Sequence, residues 1–413
     1  MSEGKHVFTK YQIFVLIVLA FLQFSVVLDF MILSPLGFIL EPALNISKSQ
    51  FGIVVSAYAF SAFISAIAGA LFADRFDRKK LLLFFYAGFI VGTLLCGLAN
   101  SYEFLLIARI VTGLFGGVLG SMVMSIVTDL FPPQVRGRVM GIIQMGFAAS
   151  QILGIYFGLK FAQDVDWHLP FLAIVIVSIL VFIAIFFFMK PINEHLKLQK
   201  EKTGFSHLRN IISENRYLKA FLATTLLATG GYMLMPFGSQ YAVHNLGIDE
   251  KAELPLFYLY TGLATFFVMP IAGILSDKIG RYKVFLAGSV LSIIMIIIYC
   301  NLKETSFWEV VIINIILFVG IMGRIAPSQA IMSMVPVAKD RGTFMSINAA
   351  FMYLSGGISA LIAGLIVKDN PDETVGNYDI LGYVVSVAVI ITLVQMYSVS
   401  KMVNEKQKTL GTN

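Results

Sequence analysis

Charge is scarce in this chain of 413 residues: Asp, Glu, Lys and Arg together make up 13% of it, about half the share of an ordinary soluble domain. Cysteine is scarcer still. Cys96 and Cys300 are the only two, and both fall inside apolar runs, where packing is their reading and neither a disulfide framework nor a metal centre is expected. His6, His168, His195, His207 and His244 are scattered without metal-ligand spacing, and no G-x-x-x-x-G-K-[ST] phosphate loop is present. Nothing therefore supports an enzyme, a cofactor, a metal or direct use of ATP. A cleavage site is also missing from the first ten residues, and the apolar stretch from Tyr11 is too long for a signal-peptide core, so it is expected to remain as a membrane span.

What the chain has in excess is apolar surface, with 58% hydrophobic residues and a mean hydropathy of +0.84. A membrane span needs about 20 such residues. Twelve can be placed, at 12–36, 51–73, 81–99, 104–131, 139–162, 169–189, 217–241, 255–276, 284–302, 307–335, 343–367 and 380–400. They are expected to be helices, because barrel strands would alternate in polarity over about ten residues. The fold class is thus an all-α membrane protein.

Orientation follows from the basic residues. With both termini inside, 23 Lys and Arg fall in cytoplasmic segments, 5 outside (Lys48, Lys160, Lys251, Lys303, Lys368) and 2 within spans (Arg109, Arg324). The formal charge of +6 is then explained by the inner face of a bilayer, with no nucleic acid as partner.

The longest polar stretch, 191–216, reads as a cytoplasmic linker between an N-terminal half, 1–190, and a C-terminal half, 217–413, each of six helices. The halves repeat each other. Leu33, Pro35 and Gly37 of LSPLG recur 201 residues on as Leu234, Pro236 and Gly238 of LMPFG, and Asp74, Cys96 and Arg136-Gly137 recur as Asp277, Cys300 and Arg341-Gly342 at offsets of 203 to 205. Such doubling marks many secondary transporters, whose halves rock around a site near the bilayer midplane.

Two loops carry the repeat most clearly. Gly273, Asp277, Lys278, Gly280, Arg281 and Lys283 in GILSDKIGRYK fit the pattern G-x-x-x-D-[RK]-x-G-R-x-[RK], and ALFADRFDRKK keeps Asp74, Arg75, Arg78 and Lys80. Glycine suits the sharp turn, while Asp and Arg can bond helix ends and each other. On these residues the chain resembles the major facilitator superfamily. The resemblance implies that Asp74, Arg75, Arg78, Arg136, Gly273, Asp277, Lys278, Gly280, Arg281 and Arg341 belong to a cytoplasmic gate, with Asp129 joining its latch when the carrier faces outward. The plainer alternative is that these charges only fix topology.

Arg109 and Gly113 in LLIARIVTGLFGG look like the family's fourth-span pattern. Gly141, Gly146, Gly154 and Gly158 in GIIQMGFAASQILGIYFG resemble the glycine-rich fifth span of its drug and sugar efflux branch, as WHLPF and LDFMILSPLG also do. Glycines four apart equally allow close packing in any membrane protein.

Asp29 is the one carboxylate deep in a hydrophobic run. It lies eight residues before Gly37, which is about 12 Å of helix below the outer end, and Arg109 lies six after Glu103, about 9 Å down. They can meet if spans one and four are neighbours, as the family resemblance implies. Such a pair either couples protons, because moving Arg109 changes the proton affinity of Asp29, or is a static ion pair that aids assembly. Arg324 has no acid within the spans of its own half and lies about 24 Å from the outer end of span ten. It pairs with backbone or lipid phosphate, or it receives an anionic or strongly polar group of a substrate. Tyr58, Gln144, Gln151, Tyr232, Asn314 and Asn348 are the further polar candidates for a substrate cavity, each with helix packing as its plain alternative. The expectation is a monomeric, proton-coupled exporter of a small organic molecule, such as a drug or sugar-like metabolite, in a bacterial inner membrane. An organic-anion carrier or a lipid flippase on the same fold is the alternative.

Overall fold

A computed structural model describes residues 8–72, 75–132, 135–193, 196, 210–337 and 340–411. Among them are twelve helices long and apolar enough to cross a membrane. Spans 1 to 6 are Lys10–Ile32, Lys48–Phe72, Arg78–Cys96, Tyr102–Leu130, Arg136–Ala149 continued through Ile155–Asp164, and Leu169–Phe188. Spans 7 to 12 are Asn215–Tyr232, Leu254–Ile279, Arg281–Cys300, Phe307–Met332, Arg341–Ile366 and Tyr378–Gly411. The linker expected at 191–216 falls largely outside the described residues.

Local chemistry explains where these helices begin. Thr9 and Gln12 form a reciprocal capping box at span 1, Asp77 caps span 3 through the Lys80 N–H at 3.1 Å, and Ser101 caps span 4 through the Phe104 N–H at 3.2 Å; each satisfies a donor that no turn of the helix can reach. Gly280, with φ of +105°, makes the tight corner between spans 8 and 9, a conformation other residues resist.

Three ends differ from the sequence expectation. Span 1 stops at Ile32 and the chain restarts as a short helix, Gly37–Leu44, and span 7 stops at Tyr232 before a 3-10 turn, Met235–Phe237, and a short helix, Gly238–His244. Pro35 and Pro236 interrupt both at the same repeat position, because proline lacks the N–H that would continue the ladder. The twelfth helix runs on to Gly411, well beyond 400. Its polar end, NEKQKTL, is rich in good helix formers.

The start of span 1 and the end of span 12 lie on one side of the bundle, labelled inner for reference, and the other is labelled outer. Hydrophobic clustering distinguishes the two. One buried cluster joins both halves at the outer side, from Leu28, Ile32 and Phe51 to Met233, Tyr241 and Val311. At the inner side the buried residues form two clusters, one around Tyr86 and Ile126 in the N-terminal half and one around Tyr217, Phe221 and Phe344 in the C-terminal half, against which Ile67 and Leu71 of span 2 also pack; there Phe63 of span 2 meets Phe351 of span 11 at 6.1 Å between ring centroids.

The halves touch along two seams. In the first, span 2 meets span 11 at Gly52 and Gly364, where a Cβ on Gly364 would stand 3.3 Å from the Gly52 Cα. In the second, Gly262 of span 8 packs on the Gln151 carbonyl, where span 5 widens into a π turn, Ser150–Gly154. Span 5 itself leans on span 1. A Cβ on Gly146 would lie 2.0 Å from the Ala20 carbonyl oxygen, and Gly154 and Gly158 meet Leu28 and Ile32 in the same way, whereas Gly141 faces open space. Gly146→Val is therefore expected to destabilise the detergent-solubilised protein by about 1–3 kcal/mol or more through overpacking. Gly141→Val should leave the melting temperature unchanged, and equal effects of the two would refute the packing role.

Candidate functional site

Span 1 brings Asp29 against span 4, and the two expected partners meet. The Arg109 guanidinium donates from Nη1 to Asp29 Oδ2 at 2.9 Å and to the Asp29 carbonyl at 3.2 Å. Thr93 of span 3 donates to the other carboxylate oxygen at 3.0 Å. Both charged residues are wholly buried. The Tyr58 ring lies under the guanidinium, 4.5 Å from its centroid, a favourable cation–π position.

Glycine makes this approach possible. A Cβ on Gly113, one turn beyond Arg109, would come within 2.4 Å of the Tyr58 carbonyl and 2.1 Å of Ser61 Oγ. On Gly92 it would strike Thr112. Spans 2, 3 and 4 thus close around Arg109 because two small residues let their backbones approach. Arg109 Nε, buried too, has no hydrogen-bond partner among the described residues, so the pair is held tightly on one edge of the guanidinium and not on the other.

Beside this pair the halves enclose a narrow cleft lined in part by Phe30, Ser34, Val55, Ala59 and Tyr232. Phe30 packs on Tyr58 at 5.2 Å and on Tyr232 at 5.8 Å between ring centroids. Aromatic surface from both halves therefore meets at mid-depth.

The remaining polar candidates are placed differently. Asn314 donates to Thr261 at 2.6 Å and Asn348 accepts from Thr224 at 2.7 Å, each within the C-terminal half, so their amides serve as links between helices. Gln151 bonds Met31 across spans 5 and 1, at the seam with span 8. Gln144 is exposed on span 5. The repeat offset explains the first of these bonds: Tyr58 corresponds to Thr261 and Arg109 to Asn314, so the C-terminal half holds a neutral counterpart of the N-terminal cluster.

In the same register Asp29 corresponds to Gly230. Arg324 occupies that space. A Cβ on Gly230 would lie 3.5 Å from Arg324 Nη1, and the guanidinium sits 5.5 Å from the Phe285 ring centroid of span 9. Arg324 is 2% exposed, yet its Nε and Nη2 have no partner among the described residues. It projects inside the C-terminal half, among spans 7, 9 and 12, and not directly into the cleft between halves.

At the inner face Arg78 pairs with Asp129 at 3.0 Å, and Arg136 holds the end of span 4 through the carbonyls of Phe131 and Thr128 at 2.9 and 2.7 Å. Asp277 lies 3.7 Å from Arg281, which also reaches Met334 Sδ at 2.8 Å. These contacts stay within their own halves. Lys278 and Arg75 are exposed, and Gly273 faces open space. Asp74 lies outside the described residues, as does the Arg341 side chain.

Sequence reasoning passed over Thr93, which looks like any span threonine, and Phe30, whose neighbour Asp29 drew the attention. The outer-face contacts of Glu41, Lys48, Gln240 and Asp369 were also missed, because residues so far apart in sequence announce no pairing.

Twelve spans in two halves, the first burying an Asp–Arg pair beside an aromatic cleft that lies between the halves, have the architecture of a membrane carrier. The sequence profile of the Major Facilitator Superfamily matches residues 19–267 and 220–410, and the chain belongs to that superfamily. It is a multi-pass membrane transporter of small molecules, not an enzyme. The uncharacterized MFS-type transporter YceJ of Bacillus subtilis is 26% identical over 359 residues, 84% of this chain and 87% of that protein. Multidrug resistance protein 3 of the same organism is 30% identical over 156 residues, covering 38% of this chain and 30% of its own length. Among solved structures, the fold is similar to a bacterial homologue of the human lysosomal transporter Spinster in an inward-facing, unoccupied conformation. The TM-score is 0.78 at 16% identity, over 97% of this chain and 99% of that one.

Proposed function

We propose that the protein exports a small organic molecule from a bacterial cytoplasm in exchange for protons, acting as a monomer in the plasma membrane with both termini inside. The observation that carries this reading is the wholly buried Asp29–Arg109 pair. A charged pair costs much to desolvate and contributes little net stability, so its place in the spans is better accounted for by use than by scaffolding. Proton binding at Asp29 removes its charge and frees Arg109, whose unbonded Nε offers an alternative direction for the guanidinium. Displacement of Arg109 then shifts the packing of span 4 against Tyr58, at the wall of the cleft. The buried cluster shared by both halves lies at the outer side, while at the inner side span 2 reaches the C-terminal cluster through the partly buried Ile67 and Leu71, which suits a carrier more firmly closed on the outer side. The name of the multidrug resistance relative is consistent with export of apolar compounds; the aromatic cleft, about 20 Å³ here, would have to widen by rocking of the halves before it could take one.

A second reading, an organic-anion carrier, is favoured by one observation: the buried Nε and Nη2 of Arg324 have no hydrogen-bond partner among the described residues. The test is flux into proteoliposomes under an imposed proton gradient, with aromatic amines, sugars, aromatic carboxylates and a fluorescent phospholipid supplied in turn. Gradient-dependent movement of an amine or sugar supports the first reading and of carboxylates alone the second. Movement of the phospholipid alone would make the protein a flippase, and gradient-independent flux of every compound would overturn proton coupling.

A further inference from the structure

The two copies of the repeated motif meet each other. An offset of 201 carries Ser34 onto Met235, and the Ser34 hydroxyl donates to the Met235 carbonyl across the line between the halves. Ser239 returns the bond, its hydroxyl donating to the Ser34 carbonyl at 3.2 Å. The short helices that follow each motif then lie side by side. A Cβ on Gly37 would fall 2.8 Å from Gln240 Nε2 and 3.0 Å from the Phe51 ring, so only glycine lets them approach.

Beside this crossing sits a set of charges that the cleft chemistry does not use. Gln240 donates to Glu41 Oε1 at 2.7 Å, from one half to the other. Glu41 Oε2 lies 3.5 Å from Lys48 Nζ, and Lys48 in turn bonds Asp369 on the outer hairpin formed by Lys368–Asp369 and Val375–Gly376. The Lys48 and Glu41 side chains are only 7% and 12% exposed, although both belong to the outer surface by sequence. Burial pushes the Glu41 carboxyl above the usual carboxylate range, and the Lys48 ammonium pulls it partly back.

We infer that Glu41, Lys48, Gln240 and Asp369, with the Ser34–Met235 crossing, form the latch of the outer gate, made when the outer side is closed and broken each time it opens. The geometry supports a reversible fastening. Opening breaks the Gln240–Glu41 and Lys48–Asp369 bonds between halves but returns the buried Lys48 and Glu41 to water, while Asp369, already 61% exposed, contributes an ion pair of little net strength; relief of the desolvation of Lys48 and Glu41 therefore keeps closure and opening close in free energy. A purely apolar seam would lack this compensation. Hydrogen bonding adds register, since the paired motifs fit only when Ser34 faces Met235. This inference needs only alternating access, not the ion or the substrate, so it stands apart from the export reading.

Spin labels on Ala43→Cys and Pro371→Cys, one on each side of the outer gate, report the gate by pulsed electron–electron distance measurement in nanodiscs; buried Cys96 and Cys300 stay in place. The otherwise unaltered protein should give mainly the short, closed distance. Lys48→Gln or Asp369→Asn should raise the long-distance fraction about fivefold or more, equivalent to about 1 kcal/mol, and Asp369→Glu, which keeps the charge opposite Lys48, should leave the short distance dominant. Should Lys48→Gln fail to fold, Gln240→Ala, which leaves every charge in place, takes its part. An unchanged distance distribution in Asp369→Asn together with Lys48→Gln or Gln240→Ala would overturn the latch.

Discussion

Asp29→Asn is expected to yield a folded carrier that exchanges substrate across the membrane but moves none of it uphill. The substitution conserves shape, and the Asn carbonyl can still accept from Arg109 or Thr93, which now bond the carboxylate at 2.9 and 3.0 Å. What it loses is a site that binds and releases a proton. Removing one charge of a buried pair costs about 3–5 kcal/mol when the partner has nowhere to go, so a drop in melting temperature should accompany the loss. Arg109→Gln should abolish exchange as well, because the guanidinium also supports the Asp29 carbonyl and the Tyr58 ring. The measurement is substrate accumulation in proteoliposomes with and without a proton gradient. Uphill transport by Asp29→Asn at the normal rate would return the pair to a structural role.

On the anion-carrier reading, which requires the buried Arg324 to become reachable from the cleft as the halves move, Arg324→Gln is expected to weaken apparent affinity for an anionic substrate by roughly 10- to 150-fold. A hydrogen bond to an ionised group is worth about 1.5–3 kcal/mol, and about 1.4 kcal/mol is one decade. Arg324→Lys keeps the charge without the planar fork, so an intermediate loss would indicate two-point recognition. Gly230→Asp tests the same idea from the other side, because it would set a carboxylate next to the free guanidinium and occupy it permanently. Affinity for a neutral substrate should change little in Arg324→Gln. If carboxylate affinity is unaltered in a folded Arg324→Gln protein, the residue serves packing among spans 7, 9 and 12.

Fold and ion pair were legible because the bilayer imposes simple rules. A run of apolar residues must be a helix there, and a lone acid must find a cation, so the depths of Asp29 and Arg109 allowed their meeting, and the resemblance that sets spans one and four side by side supplied the rest. Proline set the limit of that reading. Leu33 and Leu36 flank Ser34 and Pro35 and continue the apolar run, so hydropathy carries span 1 past the proline, whereas the backbone ends it at Ile32. Arg324 was legible as a charge without a partner but not as one directed into its own half, since a sequence gives depth along a helix more readily than direction around it in a span apolar on every side. The outer contacts were hidden for another reason: Lys48 and Asp369 are 321 residues apart, and each alone looks like an ordinary surface charge.

Arg324 also makes the protein answerable to voltage. Deep in the spans lie two fixed positive charges and one acid, leaving a single net positive charge while Asp29 is ionised and two when it is neutral. The full membrane field acts on each at about 2.3 kcal/mol per 100 mV, so rocking that shifts them by about a tenth of the bilayer thickness involves only about 0.2 kcal/mol per charge. On the proton-exchange reading, a proton passing to and from Asp29 would cross far more of the field than that. Membrane potential would then act chiefly on the loading of Asp29 and only weakly on the swing of the halves.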